Sequence, residues 1–175
     1  GICYGFQMAV IEFARAVCGL EDATTTEIDP DCRYPVINLL DEQKKIEGLG
    51  GSMRLGACDI DVREGTLAYR MFGPRTRLRF RHRYEVEPRF ISMLEGAGLV
   101  FSGRSPRVPI MHMLELPQNV HPYYVGTQAH PELTSRPLRP SPYFVGLVHA
   151  ALRRAYDDFV EPIDWDALRG VGSLD

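Results

Sequence analysis

Gly1-Ile2-Cys3-Tyr4-Gly5 opens the chain and runs straight into the apolar-periodic stretch Phe6–Val17. Gly1 and Gly5 flank Cys3 symmetrically, the pattern of a sharp strand-to-helix turn with a nucleophile at its apex. Such a turn crowds the backbone, so a side chain two positions to either side is expected to clash. From Phe6 to Val17 the apolar residues recur at helical spacing, and Gly19 suits the stop. The thiol then sits at the start of a helix, where the dipole and free N–H groups are expected to favour thiolate. Far downstream, His130-Pro131-Glu132 supplies a base and a carboxylate. On an extended segment His130 and Glu132 project from the same face, so Glu132 can hold the imidazole while His130 faces the sulfur. Cys3, His130 and Glu132 read together as an acyl-transfer site.

Between these ends the pattern alternates strand and helix. Val36–Leu40 reads as a strand or buried turn, and Asp41–Gly51 as a charged, then glycine-rich loop. Gly65–Phe72 and Arg75–Val86 read as strands. Glu87–Gly98 predicts a helix with Pro88 in its first turn. Leu99–Ser102, Pro109–Leu116 and Tyr123–Gln128 read as further strands, the last delivering His130. Ser141 is placed to cap a helix from Pro142 to about Phe159, and the acidic tail from Val160 reads as irregular surface. Residues 1–159 are therefore one catalytic domain and 160–175 a tail. Arg75, Arg77, Arg79, Arg81 and Arg83 alternate with Thr76, Leu78, Phe80 and His82, which puts five arginines on one strand face. In a net-acidic domain this reads as a solvated basic face and not as a nucleic-acid surface.

A chain of 175 residues with 45% hydrophobic content and net charge −3 is one globular domain with no general affinity for polyanions. At this size folding buries roughly 70% of the unfolded chain's surface, enough for a real core. Cys3, Cys18, Cys32 and Cys58 show no paired spacing, which argues against disulfides or zinc and fits a reducing cytoplasm. His82, His112, His121, His130 and His149 also lack metal-ligand spacing. No apolar run is long enough for a membrane span. With no initiator Met and the turn at residue 1, the reading is of a fragment whose leading strands lie upstream.

Cysteine at a sharp turn followed far downstream by His-x-Glu, with Gln7 completing Gly-x-Cys-x-Gly-x-Gln, resembles the class I glutamine amidotransferases. Five further stretches are similar to one branch of that family, the one that aminates UTP. They are Asp29–Val36, Gly50–Gly56, Arg81–Val86, Ser135-Arg136-Pro137 and Pro140–Phe144. Tyr4, Phe6, Phe80 and Ala129 depart from the residues usual there, without removing a reacting group. The resemblance implies an α/β fold, flavodoxin-like, with a mostly parallel central sheet flanked by helices and its N-terminal strands missing. It implies glutamine as substrate, with Glu27 receiving the α-ammonium and Arg83 the α-carboxylate. Tyr4 would give its backbone N–H to the oxyanion, and Gln7 would line the same pocket. It implies no cofactor in this chain, ATP and Mg²⁺ in an upstream synthetase domain that binds UTP, and a homotetramer at full length. A different amidotransferase product, a γ-glutamyl hydrolase, or an inactive remnant of poor solubility are the other readings.

Overall fold

The computed structural model describes residues 1–40, 53–159 and 161–169. The loop read over Asp41–Gly51 and the motif residues Gly50-Gly51-Ser52 lie outside the described residues. The chain begins with helix α1 (Tyr4–Ala16), closed after its last turn by Gly19 at φ 72°. Strands β1 (Ala23–Thr25) and β2 (Tyr34–Asn38) follow and pair in parallel. β3 (Arg54–Val62) leads through helix α2 (Leu67–Phe72) to β4 (Arg75–His82) and the short β5 (Glu85–Val86). Helix α3 (Pro88–Gly96), β6 (Val100–Arg104), β7 (Met111–Glu115) and β8 (Val125–Thr127) complete the sheets. A 3₁₀ turn (Pro131–Leu133), α4 (Pro142–Ala155) and α5 (Trp165–Arg169) close the described chain.

The strands form a three-stranded sheet, β1-β2-β5, and a five-stranded sheet, β4-β3-β6-β7-β8. The expected mostly parallel central sheet is not what the chain builds. Every pairing in the larger sheet is antiparallel, and the parallel pairings among the described residues are β1–β2 and the bridge Ile2–Thr127. The links 105–110 and 116–124 are too short for the crossover that parallel neighbours need, so the strands must turn back on each other.

Gly65–Phe72 is a helix, not a strand. Thr66 caps it by accepting from the Tyr69 N–H at 3.0 Å, and Leu67, Ala68, Met71 and Phe72 bury one helical face. The buried carboxylate of Glu115 accepts the next two free N–H groups, Leu67 at 2.7 Å and Ala68 at 3.0 Å. Arg75–Val86 is two strands, broken at Arg83-Tyr84, so four arginines and not five lie on β4. Their outward face is solvated as expected. Arg75 and Arg77 pair with Asp61 and Asp59 across β3 at 2.7 and 2.8 Å, while Thr76, Leu78, Phe80 and His82 point inward. The tail is not wholly irregular, since α5 packs Trp165 onto the α2 cluster and Arg169 donates to the Arg70 carbonyl at 3.1 Å. β1 and β3 are strands that the hydrophobic pattern did not signal, because β3 is largely half-buried and carries Arg54, Asp59 and Asp61. Ser141 sits at the N-cap of α4 but its side chain makes no capping bond; Pro142 at the first helical position sets the start.

Two apolar clusters hold these layers. Phe6, Val10 and Phe13 of α1 pack with Val36, Ile37, Val86, Phe90 and Leu94. Ile60, Met71, Leu78, Phe80 and Met113 form the second. Each side chain of this size, fully buried, contributes roughly 1.5–3 kcal/mol. Between the clusters lies a polar knot. Glu85, wholly buried, accepts from Arg54 at 2.5 Å and meets His82 at 2.8 Å, which ties the end of β4 to β5.

His112 on β7 lies against the Phe80 ring, 4.6 Å between centroids, and burial lowers its pKa from 6.5 to about 4. Glu85 pulls the other way, while His82 and Arg54 add to the lowering. Between those two pH values the unfolded chain holds the extra proton, so stability is full above pH 6.5 and is lost as pH falls through 4. The shift predicts about 3 kcal/mol lost across that window. His112→Leu should flatten the dependence in urea unfolding at a series of pH values. An equally steep loss in that variant would assign it to other groups.

Candidate active site

The segment leading to α1 lies alongside β8. The Gly1 nitrogen donates to the Val125 carbonyl at 3.0 Å, Thr127 N–H to Gly1 at 2.8 Å, and Cys3 N–H to Thr127 at 2.7 Å. α1 starts at the next residue, so Cys3 stands where an extended segment turns into a helix. Its backbone has φ 50° and ψ −104°, and it is the one non-glycine residue at positive φ among the described residues. Such a conformation costs about 1–3 kcal/mol and marks a position held by its surroundings.

The two glycines are not equivalent. A Cβ at Gly1 would come within 2.7 Å of the Gly5 carbonyl oxygen, a backbone atom that cannot move aside. A Cβ at Gly5 would meet nothing within 4 Å, so the expected symmetric clash holds on one side only. Gly1 is the glycine that the turn requires.

The outer edge of β4 brings the remote pieces together. The His130 N–H donates to the Arg79 carbonyl at 2.8 Å, and Cys3 Sγ lies 4.0 Å from the Arg81 carbonyl oxygen. Carbonyls two apart on a strand point the same way, about 7 Å from each other. Cys3 and His130 therefore hang from neighbouring hooks. His130 Nδ1 meets Glu132 Oε1 at 2.5 Å, while its Nε2 is buried and has no hydrogen-bond partner among the described residues. With one ring nitrogen committed to a carboxylate, the other is the nitrogen left for proton transfer.

Burial pushes the Cys3 thiol up, so the expected lowering by the helix start does not prevail. The Tyr4 backbone N–H and the Gln128 amide work to lower it, and the carboxylates of Glu132 and Glu27 raise it further. A thiol held mostly protonated in the resting state needs a base, which is the role an adjacent imidazole fills.

Of the remaining sequence-derived residues, Gln7 is buried and donates through Nε2 to the Tyr84 carbonyl at 2.9 Å. That bond fastens the Arg83-Tyr84 link between β4 and β5 against α1. Arg83 and Glu27 are both exposed, and neither side chain makes an ion pair with a described residue. Glu27 is near enough to Cys3 to act on its charge. Tyr4 contributes its backbone, its side chain being half exposed. Sequence reasoning missed Gln128, whose Nε2 donates to Cys3 Sγ at 3.6 Å. Its place two residues before His130, at the end of β8, was the available signal.

A cysteine where an extended segment turns into a helix, and a histidine held by a carboxylate, are thus anchored to two outward carbonyls of one strand. The family model "Glutamine amidotransferase class-I" matches residues 1–150, and the chain belongs to that family. It is similar to the CTP synthase of Sulfurisphaera tokodaii, 54% identical over 152 residues, which is 86% of this chain and 28% of that protein. The CTP synthase of Saccharolobus solfataricus is 52% identical over 151 residues, with the same two shares. Among solved structures, a Trypanosoma brucei CTPS glutaminase domain with bound acivicin superposes with TM-score 0.80 at 28% identity. That match covers 93% of this chain and 61% of the other. The chain thus spans between a quarter and a third of the curated relatives it matches.

Proposed function

We propose that this chain is the glutamine-hydrolysing part of a CTP synthase, with Cys3 as the nucleophile of an elbow. The observation that carries the reading is the placement of Cys3 and His130 on adjacent outward carbonyls of β4, with Glu132 on the far ring nitrogen. His130 Nε2 takes the thiol proton as Cys3 Sγ attacks the side-chain amide carbon of glutamine. The oxyanion turns to the Tyr4 N–H. The intermediate collapses to a thioester, and the same proton leaves with ammonia. Water, deprotonated by His130, then releases glutamate and restores the thiol. Glu27 and Arg83 offer the two opposite charges that an α-amino acid needs.

The resemblance implies the onward step, in which the ammonia aminates UTP to CTP, and the relatives' name, CTP synthase, agrees with its product. The described residues hold no group of three or more acidic, His or Cys side chains arranged for a metal. From the resemblance we assign ATP, Mg²⁺ and UTP to a synthetase part of the longer relatives, together with homotetramer assembly in the cytoplasm. No described helix is long and apolar enough to cross a membrane.

Labelling with a glutamine-mimicking diazo-ketone, read by peptide mapping, tests the site. A single adduct on Cys3 that excess glutamine suppresses is the expected result. Equal labelling of Cys18, Cys32 and Cys58, or none, would reject the reading for this chain.

A further inference from the structure

Gln128 is wholly buried and Gln7 nearly so, and buried amides need hydrogen-bond partners. Both contacts of Gln7 run from Nε2, one to the Tyr84 carbonyl at 2.9 Å and one to Gln128 Oε1 at 3.2 Å. A backbone carbonyl can only accept, so it fixes which end of Gln7 faces it. The second N–H of that nitrogen then requires an acceptor, and Gln128 presents its oxygen. The Gln128 NH₂ group is left pointing at Cys3 Sγ, 3.6 Å away. Turning Gln128 over would set two NH₂ groups face to face and a carbonyl oxygen against the sulfur. The Gln128 main chain is itself anchored, its N–H donating to the His112 carbonyl at 2.9 Å.

We propose that the side-chain amide of Gln128 is a catalytic donor to the Cys3 sulfur, and that Gln7 is the positioning residue that keeps it donating. This deepens the proposed function and rests on Cys3 being its nucleophile. It gives Gln7 a task other than lining the pocket. A donor here matters whenever sulfur carries charge, before attack and again when the thioester is cleaved. The charged groups that act on the sulfur are Glu132 on the 3₁₀ turn and Glu27 after β1, and both carboxylates oppose thiolate. Gln128 is the one side chain among the described residues that donates to it. Once the Tyr4 N–H turns to the oxyanion, Gln128 remains with the sulfur.

The test is the pH–rate profile of Cys3 alkylation by iodoacetamide, followed by peptide mapping. Gln128→Met, close in volume, should raise the midpoint by about one pH unit. Gln128→Glu should raise it further, since a carboxylate then faces the sulfur. Gln7→Met should raise it too, but add nothing in the Gln128→Met background, because it acts only through that amide. An unchanged midpoint in Gln128→Met, or a Gln7→Met effect that persists undiminished without Gln128, overturns the proposal. If Gln128→Met fails to fold, the unaltered chain decides by NMR. The Gln128 side-chain NH₂ resonance should titrate with the alkylation midpoint and stop doing so in Cys3→Ala. A resonance flat across that range overturns the proposal equally. Diazo-ketone labelling that glutamine does not suppress would count against the amidotransferase reading, while the alkylation profile would still judge Gln128.

Discussion

Cys3→Ala should abolish the diazo-ketone adduct and reduce ammonia release from glutamine by roughly 10⁴-fold or more, since no other group can form the thioester. A companion variant separates chemistry from conformation. At φ 50° and ψ −104° a Cβ is carried at a cost that only glycine escapes. Cys3→Gly should therefore be as inactive as Cys3→Ala yet about 1 kcal/mol more stable than it in urea unfolding. If Cys3→Ala keeps its glutamine-dependent turnover, the nucleophile lies elsewhere. If the two variants are equally stable, the backbone at Cys3 is not strained.

Arg83→Met should raise the glutamine concentration needed for half-protection of Cys3 by about 100-fold, the worth of a charged hydrogen bond to a carboxylate. Alkylation by uncharged iodoacetamide should be unaffected, because Arg83 makes no bond within the described fold. The contrast between the two reagents is the measurement. Equal protection in parent and variant would show that the carboxylate is held by another group. A parallel fall in both reactions would mean instead that the Arg83-Tyr84 link, pinned by Gln7 at 2.9 Å, had shifted.

The turn at Cys3 was legible in the sequence from the glycine beside it, and the pairing of His130 with Glu132 from their spacing of two. That pair nevertheless sits on a 3₁₀ turn and not on the extended segment expected. The helices α1, α3 and α4 were legible too, since an apolar stripe at helical spacing is a local property. The sheet direction was not. It depends on the short links after β6 and β7, and a resemblance to an α/β family pulled the reading toward parallel pairing. α2 was misread because Leu67, Ala68, Met71 and Phe72 fit a buried strand as readily as a helix, and its cap from Glu115 comes from a distant strand. Gln128 escaped because a buried amide has no pattern of its own. Its role follows from a partner 125 positions away.

One feature of the larger sheet bears on how the protein behaves in company. β4 is an outermost strand, and such a strand ordinarily offers its unpaired carbonyls to any neighbouring chain. Here Arg79 already receives His130, and the sulfur of Cys3 lies against Arg81. Exposed arginines along the same strand repel a second copy in register. The residues proposed for the site therefore also cover part of that open edge. A variant that unseats the His130–Glu132 turn should lose, along with the proposed catalysis, a barrier to strand-by-strand self-association.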